Sequence, residues 1–446
     1  MPIDLGLSRV YNLLKHLNNP HINAYKSIHI AGTNGKGSTI AYVSSILTKC
    51  KIKNGRFTSP HMLYYNDCIC INNEVYPLSK FKKVNQLVQE QDRILQLGCT
   101  EFELLTVTAY KIFEIEQVEV AVIEVGLGGR LDATNVLEPF EKGKVKGGVI
   151  ATGITKIGID HESLLGNSLA AIASEKAGII KRIVPVVVDG TNDEDVLNVV
   201  KKKAAELQAP VTFVDGLKES ESEDQDSTVP NVKDLLELSP LKGQYQLQNL
   251  SIALKIIEIV KNQDHSFLNN ENGSPKITSE LIKDGVRDTV WQGRLQTVDI
   301  EELGLSIILD GAHNESAAIE LGDYLQTIRK NHEGIIFVIA MTKGKSIGNL
   351  LRHITNRKTD TFIATTFSPP ENMPWVASYD INSLQTDAKE YVEDIDDFEG
   401  GDINEVLKHV ADKYKNNGDK RQVVVCGSLY LCGDVLRMVD NKRSSV

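Results

Sequence analysis

The sequence has no apolar run approaching the roughly 18–20 residues that a helix needs to cross a bilayer, so it does not read as a helical membrane protein. Its first residues, Met1-Pro-Ile-Asp-Leu-Gly-Leu7, show neither a signal-type apolar stretch nor an Arg- and Ser-rich transit character. The chain is therefore expected to start at its folded domain and to work in the cytoplasm. Cysteine is scarce, six in 446 residues, and no pair stands at zinc-ligand spacing with histidines. That excludes a disulfide scaffold and points to reduced thiols; Cys68-Ile-Cys70 reads as a buried pair on one strand face. Basic residues are outnumbered, 49 Lys and Arg against 60 Asp and Glu, for a net charge of −11. This excludes a broad nucleic-acid surface, and an anionic substrate must be held by specific cations. There is no internal repeat of short period.

What the chain does have is length and ordinary globular composition, with 41% hydrophobic and 24% charged residues over 446 positions. Two domains are expected. Apolar strand-like runs alternate with helical patterns: Ser27–Ala31, Val118–Val125, Gly148–Thr152, Ile183–Val188, Leu305–Leu309, Gly334–Met341, Thr361–Thr365 and Arg421–Cys426. Such alternation predicts an α/β protein with mostly parallel sheets covered by helices. Three polar stretches read as solvated surface insertions: the acidic run Glu219–Ser227, Asn262–Pro275, and Tyr391–Asp402 with its Gly400-Gly401. A domain boundary is expected near Trp291–Thr297, after which the pattern restarts with Leu305–Leu309 and then Asp310-Gly-Ala-His-Asn314.

The most informative stretch is Gly32-Thr-Asn-Gly-Lys-Gly-Ser38, set between the strand Ser27–Ala31 and the helical Thr39–Leu47. Strand, glycine turn, lysine, hydroxyl and helix is the layout of a phosphate cradle. Glycines let backbone N–H groups approach phosphate oxygens, and the helix N-terminus adds partial positive charge. The spacing departs from G-x-x-x-x-G-K-[ST]: Ile30 stands where the first glycine belongs, and Gly37 separates Lys36 from Ser38. The bland alternative is a glycine-rich turn without a ligand.

Glu124 closes the strand Val118–Val125 just before Gly126-Leu-Gly-Gly-Arg-Leu-Asp-Ala-Thr-Asn135. A carboxylate at a parallel strand's C-terminal end, in the domain that carries a phosphate loop, is where a Mg²⁺ ligand belongs. The competing reading pairs it structurally with Arg130. His161, in Asp160-His-Glu162, reads equally as a core histidine or as a metal or catalytic group. Lys176 ends a helical stretch, and local reasoning alone makes it a complement to the helix C-terminus.

Taken in order, Gly32–Ser38, Phe57-Thr-Ser-Pro-His61, Glu101-Phe-Glu103, Glu124–Asn135, Asp160-His161, Glu175-Lys-Ala-Gly-Ile179, Asp310–Asn314 and Cys426-Gly-Ser-Leu-Tyr430 resemble the folylpolyglutamate synthase and dihydrofolate synthase family. That family belongs to the Mur ligase superfamily of ATP-dependent amide-bond formers, and the resemblance covers nearly the whole chain. It implies two domains: a P-loop ATP-binding domain over residues 1–296 with a mostly parallel sheet, and a smaller Rossmann-like α/β domain over 297–446. It implies a ligase of folate biosynthesis and one-carbon metabolism. A pterin-bearing carboxylate takes the γ-phosphate of ATP, and the resulting acyl phosphate is attacked by the amino group of L-glutamate. A free carboxylate is a poor acyl donor because its leaving group would be oxide; phosphorylation supplies a good one.

The resemblance also implies roles. Gly35, Lys36, Gly37 and Ser38 hold the ATP phosphates. Ser59 and Glu124 ligate one Mg²⁺, and His161 a second beside Glu124. Lys176 matches a lysine that can be carbamylated, which turns a cation into an anion able to help hold the second ion; this overrides the local reading. Asn249, Arg294 and Asp310 match ATP-contacting positions, and His313 faces the cleft near the glutamate. Asp4-Leu5 and the residues after them, Thr100-Glu101-Phe102-Glu103 and Leu131-Asp132-Ala133 match dihydropteroate contacts. Phe102 suits stacking on a flat pterin, and Asp132 suits its amino and ring N–H groups.

Within the family, the intact Asp4-Leu-Gly-Leu7 and Leu131–Asn135 and the acidic insertions look most like fungal dihydrofolate synthases, which add the first glutamate to dihydropteroate. Folylpolyglutamate synthesis, alone or in addition, is the alternative. A P-loop ATPase or switch without ligase activity needs only the phosphate loop and Glu124, and leaves Ser59, His161, Lys176, Arg294 and Asp310 unexplained. The expected partners are small molecules (ATP, dihydropteroate and L-glutamate), with no nucleic acid and no membrane, and the chain is expected to act as a monomer.

Overall fold

The computed structural model describes residues 6–216, 231–329 and 334–443. Asp4, Leu5 and the acidic run Glu219–Ser227 lie outside them. The chain divides into two compact units: one of Met1–His61, Asn66–Pro240 and Tyr245–Val290, the other of Met62–Tyr65, Leu241–Gln244 and Trp291–Val446. Both are α/β.

The first unit is built on β1 (Lys26–Ala31), β2 (Asn54–Phe57), β3 (Ile69–Ile71), β4 (Glu74–Val75), β5 (Val120–Glu124), β6 (Gly148–Ile154), β7 (Val186–Asp189) and β8 (Val211–Val214). Their order is β4-β3-β2-β5-β1-β6-β7-β8, parallel from β2 to β8, with β3 and β4 as an antiparallel edge. β1 and β5 are buried almost throughout, so β5 reads as an apolar run and β1 as an apolar-rich one that also buries Ser27 and His29. β1 lies between β5 and β6, so the loop leaving its C-terminal end opens at the point where the chain's winding reverses, the usual crevice of an open parallel sheet.

Helix Lys36–Lys49 follows β1 and is buried on nearly every side, from Gly37 to Leu47. Helices Gln246–Lys261 and Ser279–Arg287 pack against it. The second of these comes close because Gly285 has no side chain: a Cβ there would stand 2.6 Å from the Ile46 Cα. Ser45 Oγ donates to the Gly285 carbonyl at 2.7 Å, and the Tyr42 hydroxyl pairs with Ser239 Oγ at 2.7 Å, so the helix's buried polar groups are satisfied.

The second unit contains β9 (Gln296–Ile300), β10 (Leu305–Leu309), β11 (Ile335–Ile339), β12 (Thr361–Ala364), β13 (Asp394–Asp396) and β14 (Gln422–Cys426). Their order is β13-β12-β11-β14-β10-β9, parallel except for β9, which runs antiparallel to β10. Its core gathers Ile307, Leu309, Ile336, Val338, Val423 and Val425 against helix Ile403–Lys413.

Three sequence expectations need correction. Tyr391–Asp402 is not simply a solvated loop, because Asp394–Asp396 forms β13 beside β12. Its acidic character hid the strand, but Asp396 is buried and accepts from the Tyr414 hydroxyl at 2.7 Å and meets His409 at 2.8 Å and Lys413 at 3.2 Å. Those partners make a buried carboxylate tolerable. Within Asn262–Pro275, His265 and Leu268 are buried, so that stretch too is anchored rather than wholly solvated. Cys68 and Cys70 are both buried, but Cys68 ends a 3₁₀ turn and only Cys70 lies in β3; all six cysteines are free thiols. Among the described residues no helix is long and apolar enough to cross a membrane.

Candidate active site

The loop after β1 is clamped from one side. The amides of Thr33 and Asn34 donate to the Lys156 carbonyl at 2.8 and 3.2 Å, and Thr155 Oγ1 donates to the Asn34 carbonyl at 2.6 Å. Gly35 sits at φ 87° as the N-cap of helix Lys36–Lys49, a left-handed position that favours glycine. A Cβ at Gly35 would stand 2.1 Å from Asn249 Oδ1, so the turn also needs glycine for space. No side chain caps this helix, so its first amides remain available to an anion, where the helix dipole adds its positive end. Asn249 Nδ2 donates to Gln246 Oε1 at 3.1 Å, and Gln246 Nε2 to Ser38 Oγ at 3.3 Å, which ties the cradle to helix Gln246–Lys261. Gln246 was missed from sequence; only its place one turn before Asn249 could have pointed to it.

Lys36 and Glu124 meet across this cradle, with Nζ 3.6 Å from Oε1. Lys36 Nζ also donates to the Thr33 carbonyl at 3.2 Å. Glu124, 5% exposed at the end of β5, accepts from the Ser59 amide through Oε2 at 3.1 Å. The rival pairing with Arg130 does not form, because that guanidinium binds Glu175 Oε1 at 3.0 Å. The structure thus brings Lys36, Glu124 and the Ser59 amide together. Among the described residues no group of three or more His, Cys, Asp or Glu could hold a metal. One carboxylate beside a serine still fits a hard cation that takes most of its oxygens from phosphates and water, as Mg²⁺ does.

Lys176 does more than neutralise the end of helix Leu169–Ala177. Its side chain is 5% exposed and Nζ donates to the Gly32 carbonyl at 2.8 Å. Burial first, and Lys36 second, lower its pKa to about 7, against the pull of Asp160 and Asp132. The amine is therefore partly neutral near physiological pH. His161 lies next to Asp160, its Nε2 4.0 Å from Asp160 Oδ2, and is half exposed at the start of the short helix Glu162–Leu165.

The residues expected to contact a pterin form a neighbouring group. Phe102 stacks on Phe57 with centroids 6.1 Å apart. The start of the β5–β6 loop lies against it, since a Cβ at Gly126 would be 2.3 Å from Phe102 Cζ. Thr100 and Glu103 form a reciprocal capping box: the Glu103 amide donates to Thr100 Oγ1 at 3.3 Å and the Thr100 amide to Glu103 Oε2 at 2.7 Å. Arg9 also pairs with Glu103 at 2.9 Å. The signature T-x-x-E was legible in Thr100-Glu-Phe-Glu103 as a helix start, and both side chains serve that start. Glu101 is exposed on the first turn and Leu131 half-buried, while Ala133 is buried. Asp132, 2% exposed, accepts from the Leu127 amide at 2.8 Å, from the Thr134 amide at 3.1 Å and from the Thr134 hydroxyl. Those donors occupy three of the roughly four acceptor directions of a carboxylate. Burial pushes its pKa up, and the same hydrogen bonds oppose that.

In the second unit, Asp310 follows β10 and is buried. Its oxygens accept from the Leu295 amide at 2.9 Å and the Ala312 amide at 2.8 Å. Desolvation raises its pKa, opposed by Arg294 and the two amides. Arg294 Nη1 donates to the Gly293 carbonyl at 3.1 Å, and His313 Nδ1 lies 2.9 Å from the Gly311 carbonyl. Asn314 then caps helix Glu315–Ile328, accepting from the Ala317 amide at 2.9 Å.

Known proteins resemble this chain along its whole length. Residues 294–438 match the family model described as dihydrofolate synthetase, C-terminal domain. The dihydrofolate synthetase of Saccharomyces cerevisiae is 40% identical, with 98% of each chain covered. The probable dihydrofolate synthetase of Schizosaccharomyces pombe is 40% identical, over 98% of this chain and 99% of that one. Among solved structures, the folylpolyglutamate synthase of Thermotoga maritima is 26% identical with a TM-score of 0.74, covering 99% of this chain and 94% of that one. An FPGS–AMPPCP complex is 28% identical with a TM-score of 0.73, covering 98% and 96%.

Proposed function

Because this chain belongs to the dihydrofolate synthase and folylpolyglutamate synthase family, we propose that it is an ATP-dependent ligase that joins L-glutamate to 7,8-dihydropteroate, giving 7,8-dihydrofolate for folate biosynthesis. The observation that carries the site reading is the meeting of Lys36, Glu124 and the Ser59 amide at the mouth of an uncapped, glycine-started helix.

In this reading the amides at Gly35–Ser38 and the Lys36 ammonium hold the ATP phosphates, with Asn249 closing the cradle. The dihydropteroate carboxylate attacks the γ-phosphorus, and the ADP–phosphate bond breaks. Lys36 neutralises charge as two anions are brought together. Mg²⁺, when bound, supplies further charge neutralisation on the phosphates. Ser59 and Glu124 would hold one ion, and His161, with Lys176 in carbamate form, would hold a second. A neutral Lys176 amine is the form that adds CO₂ to give a carbamate and a proton, and its buried setting favours that form. The glutamate amino group then attacks the acyl carbon, and phosphate leaves. Arg294 and Asp310 contact ATP from the C-terminal domain, and His313 lies near the glutamate. Phe102, Leu131, Asp132 and Ala133 receive the pterin, with Asp4, Leu5, Thr100, Glu101 and Glu103 bordering it. The functional domains are 1–296 and 297–446, and the enzyme works as a cytoplasmic monomer.

Addition of glutamate to tetrahydrofolate is the second reading, favoured by the likeness to folylpolyglutamate synthase structures. The test offers dihydropteroate and tetrahydrofolate separately with ATP and labelled glutamate. Incorporation with dihydropteroate, and ADP release that needs both dihydropteroate and glutamate, is expected. Exclusive use of tetrahydrofolate overturns the first reading, and ADP release independent of both acceptors overturns the ligase.

A further inference from the structure

His29 lies in the middle of β1, fully buried between β5 and β6. Its Nε2 is 2.9 Å from Thr134 Oγ1. The Thr134 hydroxyl is also hydrogen-bonded to Asp132 Oδ1, and the Thr134 amide donates to the same oxygen at 3.1 Å. A hydroxyl has one proton. Both Asp132 oxygens act as acceptors, Oδ2 from the Leu127 amide and Oδ1 from the Thr134 amide, so the hydroxyl's proton goes to Asp132. The contact to His29 then requires the imidazole to donate from Nε2–H, which makes Nδ1 the bare nitrogen. Nδ1 is buried with no hydrogen-bond partner. Burial, and the nearby Lys181 charge, hold the ring neutral. An apolar side chain at this position would leave no orphaned nitrogen. The only hydrogen bond that the buried imidazole makes is the one that orients Thr134.

The loop around that hydroxyl is otherwise fixed through its backbone. The Tyr110 hydroxyl donates to the Thr134 carbonyl at 2.9 Å, and Lys181 Nζ donates to Asn135 Oδ1 at 2.9 Å. Asn135 Nδ2 donates to the carbonyls of Arg130 and Gly178 at 3.0 and 3.1 Å. The Asp132 carboxylate takes the backbone amides of Leu127 and Thr134 and one side-chain donor, the Thr134 hydroxyl, and that last bond is the one His29 orients. We infer that His29 is a positioning residue for substrate selection: its Nε2–H fixes the Thr134 hydroxyl, which fixes the Asp132 carboxylate toward the pterin. The inference rests on Asp132 being a pterin contact.

The test measures steady-state kinetics on the full chain, with KM for dihydropteroate and for ATP determined separately. His29→Leu and Thr134→Val each raise KM for dihydropteroate roughly three- to tenfold, the worth of one hydrogen bond, and leave KM for ATP unchanged. His29→Gln, whose side-chain amide carries an N–H at a similar reach, restores most of the loss. The double variant His29→Leu/Thr134→Val is no worse than Thr134→Val alone, because both changes cut one path. A lowered unfolding temperature with unchanged KM for dihydropteroate, or equal rises in both KM values, overturns the proposal. Should His29→Leu not fold, Thr134→Val and His29→Gln decide it: an unchanged dihydropteroate KM in Thr134→Val overturns it, as does a His29→Gln enzyme with both KM values raised alike. Asp132→Asn tests the parent reading separately. An unchanged dihydropteroate KM there removes Asp132 as a contact, whereas a raised one alongside silent His29→Leu and Thr134→Val removes only the relay.

Discussion

Glu124 and Asp310 stand at matching places in the two units. Glu124 ends β5 and Asp310 directly follows β10, each is 5% exposed, and each precedes a glycine by one or two residues. Their partners differ. Glu124 meets the ammonium of Lys36, which is 16% exposed, and one backbone amide from Ser59. Asp310 meets two backbone amides, Leu295 and Ala312, and so fastens the chain on either side of β9 and β10. The same local sequence pattern therefore yields a carboxylate facing a movable cation in one unit and a loop fastener in the other. What decides the outcome is which donors the fold brings to the strand end, not the strand, acid and glycine themselves.

Amide substitutions sharpen the contrast, since each replaces one acceptor oxygen by a donor. The largest effect is expected in Glu124→Gln: kcat falls roughly a hundredfold or more, with reduced sensitivity to Mg²⁺ concentration. Its stability changes by only about 1 kcal/mol, because glutamine keeps one oxygen for the Ser59 amide while Lys36 can turn to water. Unaltered turnover would break the comparison from the first unit's side. Asp310→Asn is expected to cost stability beside any weakening of ATP binding, lowering unfolding free energy by about 1–3 kcal/mol, because one of two fixed amides is left facing an NH₂ group. Denaturant unfolding measures it, and a loss of activity with no loss of stability would make Asp310 resemble Glu124 instead. The remaining effect, opposite in sign, concerns Lys176. Its folded pKa of about 7 lies below the ordinary value of 10.5, so between those values the unfolded chain binds the extra proton and stability rises with pH. In Lys176→Met that rise is lost. The variant should be more stable than the parent near pH 7, with the gap narrowing toward pH 10, in unfolding curves recorded without bicarbonate; parallel pH profiles would show that the lysine keeps its proton on folding.

The sequence made the central strands legible because they are mostly buried and carry apolar-rich runs, as in Ser27–Ala31 and Leu305–Leu309, with Ser27, His29 and Ser306 as the polar exceptions. It hid the edge: β4 is two exposed residues and β13 is Asp-Ile-Asp, so neither has a pattern to read. The phosphate cradle was legible because glycine, lysine and helix start lie within a few residues. Lys176 was not, locally, because its destination at the Gly32 carbonyl is 144 residues away in the chain. Thr100 and Glu103 carried a readable local meaning, the capping box, that a resemblance to ligand-binding positions covered over. The Glu124–Lys36 meeting needed the sheet order, which places β5 directly beside β1.

Helix Lys36–Lys49 has one further consequence. It is enclosed from Gly37 to Leu47 between a sheet and two other helices, so it can unravel only when the unit as a whole opens. Its hydrogen-bonded amides, from Thr39 onward, belong with the slowest to exchange their hydrogens, whereas the uncapped amides at its start exchange readily until an anion covers them. A nucleotide arriving there meets a receptor that is already rigid, and its binding free energy is not diminished by ordering the cradle.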